Sequence, residues 1–231
     1  MPIITISRQY GSGGSIIAAR VAHALGWPLL DNALVEAVAG RLGVTVDEVT
    51  AREERVPSLV ERLASALTMG SPESMPMLID AQPRLSSEQL IEVTGRVVEE
   101  QVASGPAVIV GRGAQLMLAS REDGLHVLCY ADRDALVARV AERLRIDREE
   151  AGRRVDETNR NRAEYVNRHW QREWLGLDNY HLCVNTGAFG IETSVSLVLD
   201  AARRRLGAEL VPRFTPAAGT SAVSSPPAPG N

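Results

Sequence analysis

The chain has 231 residues, 45% of them apolar and 23% charged, with a net charge of −4. That length buries a full core in one domain and leaves room for an inserted lobe. The acidic balance excludes a general basic footprint for nucleic-acid polymers or for an anionic membrane surface. No apolar run reaches the roughly 18 to 20 residues that span a bilayer. The first residues, Met1 to Ser7, read as a strand and not as a signal peptide, so a cytoplasmic protein is expected.

Ile3-Ile4-Thr5-Ile6-Ser7 is a short β-branched run of the kind a buried parallel strand shows. The glycine-rich turn Gly11-Ser12-Gly13-Gly14-Ser15 follows it. Ile16, Ile17, Ala19, Val21, Ala22 and Leu25 then repeat at helical spacing up to a C-cap at Gly26. Pro28 to Asp31 predicts a brief second strand with a carboxylate at its end, and 33–54 predicts helix with a break at Gly43. Segment 56–86 mixes five Pro and Gly residues with amphipathic pieces and reads as an inserted lobe. A helix is predicted from Ser86 or Ser87 to about Ser104, with Ser86 and Gln89 spaced as a capping box.

Pro106 to Val110 is the clearest core strand and runs into Gly111-Arg112-Gly113. His126 to Tyr130 is another, and Asp132 after it is placed to cap a helix over Ala135–Leu144. The stretch 147–174 is strongly charged and helical, with seven arginines. His181 to Asn185 predicts the last strand, Ile191 to Arg205 the last helix, and the Pro-, Ala- and Ser-rich 207–231 a disordered tail.

Strands alternating with helices predict a three-layer α/β/α fold with a mostly parallel five-stranded sheet. Ligands of such sheets bind at the carboxyl ends of the strands. The glycine turn, Asp31, Gly111-Arg112-Gly113 and Asp132 all fall there. A strand, a glycine turn and a helix N-terminus together form an anion site, because backbone N–H groups point outward and the helix dipole adds positive potential.

Two phosphate motifs compete for this turn. The dinucleotide fingerprint begins well at Gly11-Ser12-Gly13, with Asp31 at the spacing of a ribose acid, but Ile16 stands at its third small position. The P-loop pattern lacks its first glycine and its lysine. The chain contains no lysine at all; its 25 basic residues are all arginine. The two cysteines, Cys129 and Cys183, sit in strand-like runs and read as buried thiols, and the four histidines show no metal spacing. Trp27, Trp170 and Trp174 read as packing residues.

The run Ile4-Thr5-Ile6-Ser7-Arg8-Gln9-Tyr10-Gly11-Ser12-Gly13-Gly14 with Leu29-Leu30-Asp31-Asn32 resembles the cytidylate kinase-like family of P-loop nucleoside monophosphate kinase relatives. Val108 to Gly113, Arg160 to Tyr165 and Asn179 to Thr186 extend the resemblance over about 3–205. It implies a domain over 1–206 with a nucleoside-monophosphate-binding insertion at about 33–86 and an arginine lid at about 145–175. It implies ATP as donor, Mg²⁺, and CMP or a similar nucleotide as acceptor. By position it implies a phosphate loop of Gly11, Ser12, Gly13, Gly14 and Ser15, an acceptor side with Asp31 and Arg112, and lid arginines Arg160 and Arg162. Ser15 stands where family members commonly carry arginine, and a serine there suits Mg²⁺. Arg8 and Arg20 are the candidates for the missing cation, with Arg8 placed among the catalytic residues. Asn159 stands near a lid aspartate of related kinases. The rival expectation is a nucleotide-binding regulatory module without catalysis.

Overall fold

The computed structural model describes residues 1–46 and 87–208. Most of the predicted insertion, the Ser86 cap and the predicted tail lie outside the described residues.

Among the described residues, five strands form one sheet: β1 (Ile3–Arg8), β2 (Leu29–Leu30), β3 (Ala107–Val110), β4 (Gly124–Tyr130) and β5 (Leu182–Asn185), in the order β2-β3-β1-β4-β5. Every pairing is parallel, with Ile4 opposite both Val108 and Leu125. β1 is central, and its Ile3, Ile4 and Ile6 have no exposed surface. Strands flanked by helices on both faces need such continuous β-branched runs.

The helices are α1 (Gly14–Leu25), α2 (Asn32–Leu42), α3 (Ser87–Ser104), α4 (Ala114–Met117), α5 (Arg133–Leu144), α6 (Arg148–Trp170) and α7 (Thr186–Leu206). On one face, α1 and α7 bury Ile17, Val21, Val195, Val198 and Leu199 against Ile4, Ile6, Val108 and Val127. On the other, Val38, Leu90, Val97, Val98 and Val102 of α2 and α3 cover Ile3 and Ile109. Each such side chain contributes about 1.5–3 kcal/mol when fully buried. A third cluster joins α5 to α6 through Leu136, Val140, Ala151 and Val155, with Tyr10 packed against it. The long charged helix is therefore tied to the chain beside the glycine turn.

Several local expectations are refined. α2 stops at Leu42, because Gly43 takes the left-handed C-cap conformation that ends a helix. Asp132 occupies the N-cap of α5 without a side-chain capping bond, whereas Asp147 caps α6 by accepting from the Glu150 amide. The predicted last helix gains a first turn, Thr186–Phe189, set off by non-helical Gly190 and capped by Asn185. Both cysteines are free thiols. Cys183 pairs in register with Leu128, so it lies on the face opposite Cys129.

His126 falls inside β4 and not at its start. It is 2% exposed, its Nδ1 lies 2.9 Å from Thr5 Oγ1, and its ring stacks on His181 at 4.8 Å. Burial, with nearby His181 as the second cause, pushes its pKa down from 6.5 to about 4. Between those values the unfolded chain binds more protons than the folded one, so stability is lost as pH falls through that window. Thermal melts are expected to show a lower Tm at pH 5 than at pH 7, with a slope of at most about 1.4 kcal/mol per pH unit from this group. H126Q is expected to flatten the slope; an unchanged slope assigns the pH dependence to other groups.

Candidate functional site

The glycine turn joins β1 to α1 at the carboxyl edge of the sheet. Gly11 and Gly13 both have positive φ, at 87° and 78°, the left-handed region that side chains disfavour. Gly14 packs against the Cβ atoms of Arg8 and Cys129, and any side chain there would clash with Arg8. Ser12 is fully buried; its hydroxyl donates to Gln9 O at 2.8 Å and its amide donates to the same oxygen at 3.1 Å. Ser12 therefore belongs to the frame of the turn. Among the described residues, none accepts from the backbone N–H groups of Gly11, Gly13 or Ser15. With the N-terminus of α1 behind them, these amides make the turn a candidate anion site. Ser15 itself is exposed at the first turn of α1.

Arg8 connects this turn to the second glycine cluster. Its side chain runs past Gly14, and its Nη1 fills the space where a side chain on Gly111 would stand. Its Nη2 reaches to 3.9 Å from Asp31 Oδ1, and Arg112 Nη1 lies 3.8 Å from the same oxygen. Arg112 Nη1 also donates to the Asp31 carbonyl at 3.0 Å. Gly111, Arg112 and Gly113 have φ values of 69°, 53° and 70° in succession. For Arg112 the left-handed backbone costs roughly 1–2 kcal/mol. Such strain persists where the surroundings over-determine it, and here it aims Arg112 at Asp31. Asp31, Arg8 and Arg112, singled out separately in the sequence, are thus one cluster.

The charged helix α6 lies against the same edge. Asn159 Oδ1 accepts from the Tyr10 amide at 2.8 Å, and Arg162 Nη1 donates to the Arg8 carbonyl at 2.7 Å. These residues are three apart and share one helix face with Val155 and Val166. Arg160, two residues from Arg162, is turned about 200° away at 100° per residue, and it is exposed near Asp156. The structure brings Arg162 to the turn and does not bring Arg160 beside it. Arg153 and Arg154 pair with Glu149 and Glu150 on the solvent side, where such ion pairs contribute little. Arg20 likewise pairs with exposed Glu192 on α7.

Several further contacts escape a motif search. The guanidinium of Arg143 lies 5.1 Å from the Tyr10 ring centroid and that of Arg162 lies 6.0 Å from it, within cation–π range. Arg139 donates to Thr186 O at 2.6 Å and to Ser12 O at 3.3 Å. Thr186 Oγ1 donates to Ser12 O at 2.7 Å. Trp170 at the end of α6 covers Gly113 so closely that no side chain fits there. Helical spacing on α5 could have flagged Arg139 and Arg143, which are four apart; Tyr10 and Thr186 lie in segments that carry the family resemblance, but nothing in the sequence points to these contacts. Among the described residues no cluster of three metal-ligating side chains occurs, and no helix is long and apolar enough to cross a membrane.

A parallel α/β sheet with a glycine turn after its central strand and arginines over the same edge places these groups where α/β sheets bind ligands, at the carboxyl ends of the strands. The family model described as the cytidylate kinase-like family matches residues 3–188. The chain belongs to the cytidylate kinase-like family. None of the curated proteins matches it. Among solved structures, it is similar to an uncharacterized protein from Eubacterium ventriosum, with 19% identity, 89% of this chain and 100% of that one covered, and a TM-score of 0.65. It is also similar to a shikimate kinase from Bacteroides thetaiotaomicron, with 15% identity, coverage of 87% and 97%, and a TM-score of 0.49. A third is TT1252 from Thermus thermophilus, with 20% identity, coverage of 87% and 97%, and a TM-score of 0.47.

Gly113 and Gly26 share the left-handed backbone, but only Gly113 has a ring against it. G26A is expected to cost about 1 kcal/mol from backbone strain alone. G113A is expected to cost about 1–3 kcal/mol more, because the indole must move. Denaturant melts followed by tryptophan fluorescence check this; equal losses for the two variants would mean that Trp170 does not rest on Gly113.

Proposed function

We propose that the protein is a nucleoside monophosphate kinase-like phosphotransferase that moves the γ-phosphoryl group of ATP onto CMP or a similar nucleotide. The carrying observation is Arg8, whose side chain spans from the glycine turn to Asp31 and Arg112. One cation between two anion-receptive groups suits a reaction in which two phosphates must meet.

In this reading the Gly11, Gly13 and Ser15 amides bind the donor phosphates, and Gly14 lets the start of α1 close onto Arg8 and Cys129 so that those amides open at the sheet edge. Arg112, steadied by Asp31, binds the acceptor phosphate. An acceptor phosphate oxygen attacks Pγ, the bond from Pγ to the β-bridging oxygen breaks, and ADP leaves. Charge develops on the transferring oxygens, and guanidinium groups neutralise it without any proton bookkeeping. Arg8 and Arg162 are assigned that role, with Arg160 joining only if α6 turns. Ser15, exposed in the first turn of α1, would hold Mg²⁺ through its hydroxyl, with the phosphates and water completing the shell. Bound Mg²⁺ would supply charge neutralisation at the donor phosphates.

The second reading, a nucleotide-binding module without turnover, draws on the missing lysine and on Arg162 being engaged by the Arg8 carbonyl. One experiment separates the two. In an ADP-release assay with CMP, dCMP, UMP and AMP, the kinase reading expects turnover with at least one acceptor. It expects R8A to lower kcat by roughly 100-fold, on the scale of a lost transition-state donor, and R20A to leave it unchanged. No turnover with any acceptor, alongside calorimetric ATP binding, supports the regulatory module and ends the kinase reading.

A further inference from the structure

We propose that Thr186 and Arg139 are positioning residues that hold the glycine turn in its anion-binding orientation, an inference that rests on the nucleotide-binding reading above. Neither residue belongs to a phosphate motif, and they meet the turn from two distant elements. Thr186 opens α7, and Arg139 lies in the middle of α5.

The geometry centres on one peptide group, the link from Ser12 to Gly13. Its carbonyl oxygen accepts from Thr186 Oγ1 at 2.7 Å and from Arg139 Nη1 at 3.3 Å. Arg139 Nη1 also donates to Thr186 Oγ1 at 3.0 Å, and Nη2 donates to Thr186 O at 2.6 Å. The three residues therefore form a closed clasp. A trans peptide is planar, with its C=O and N–H pointing in opposite directions. Drawing the Ser12 carbonyl toward the clasp turns the Gly13 N–H the other way, and that amide has no acceptor among the described residues.

The alternative orientation is close at hand. Gly13 accepts a wide range of φ, so this peptide can rotate where another residue would resist. Rotation would point the Ser12 carbonyl, a partial negative charge, at an incoming phosphate and remove one amide from it. Arg139 adds a full positive charge to the clasp, and a charge-assisted bond holds a carbonyl more firmly than a neutral one. Thr186 has no exposed surface and cannot touch a nucleotide. Its effect must pass through the turn.

This role predicts a selective loss. By calorimetry, T186V, which keeps the side-chain shape but removes the hydroxyl, is expected to weaken ATP binding at least tenfold. R139Q is expected to do the same. CMP binding, which uses the Asp31 and Arg112 side, is expected to stay within twofold in both variants. T186S, which restores the hydroxyl, is expected to return ATP affinity to within twofold of wild type. ATP affinity unchanged in both T186V and R139Q would overturn the proposal and leave the nucleotide-binding reading standing. Parallel loss of ATP and CMP binding with a lowered Tm would also overturn it, since a purely structural contact would act that way. Wild-type protein that binds no ATP would bring down the nucleotide-binding reading itself, and this inference with it.

Discussion

No side chain fits on Gly14, because the Cβ atoms of Arg8 and Cys129 already occupy that space. The rest of the site follows from this close approach. It brings the start of α1 directly over the end of β1, so the first-turn amides open at the edge of the sheet. It also forces the Arg8 side chain outward, across Gly111 and toward Asp31. A bulkier residue at position 14 would part the helix from the strand and redirect the cation that joins the two glycine clusters.

A candidate phosphate site without lysine needs another way to place positive charge. A lysine ammonium is a compact point charge on a flexible stem, whereas a guanidinium is planar and lies flat against neighbours. The structure uses that flatness. Arg8 lies over Gly111, and Arg143 and Arg162 lie within cation–π distance of the Tyr10 ring. The Asp31 carboxylate lies 3.9 Å from Arg8 and 3.8 Å from Arg112 and offsets their mutual repulsion, while the Asp31 carbonyl accepts from Arg112. Packing then fixes the directions: Trp170 on Gly113 and Asn159 on the Tyr10 amide keep α6 against the turn.

Much of this was legible in the residues. The β-branched runs gave the strands, and the glycines marked both turns, because period and turn chemistry are local properties. The parallel sheet and the placing of Asp31 and Arg112 at its carboxyl edge followed from the alternation of strands and helices, whereas the reach of Arg8 to that pair did not. What stayed hidden was long-range. Thr186 reaches Ser12 across 174 positions, and Asn159 reaches Tyr10 across 149. No local pattern encodes such contacts. The pairing of Arg160 with Arg162 as equal partners came from motif position alone, and helix geometry turns them to different sides. His126 was misplaced at a strand start because Gly124 and Leu125 offer no strand signal of their own.

The central claim is that backbone amides of the glycine turn, aided by arginine, bind a nucleotide's phosphates. The most direct measurement is a ¹⁵N–¹H correlation titration of the labelled protein with Mg²⁺–ATP, followed at the assigned amides. The account predicts that the Gly11, Gly13 and Ser15 resonances shift the most and saturate with a single affinity, while the Gly26 and Gly43 amides stay in place. Saturable ATP binding that leaves the three turn amides unmoved would contradict it.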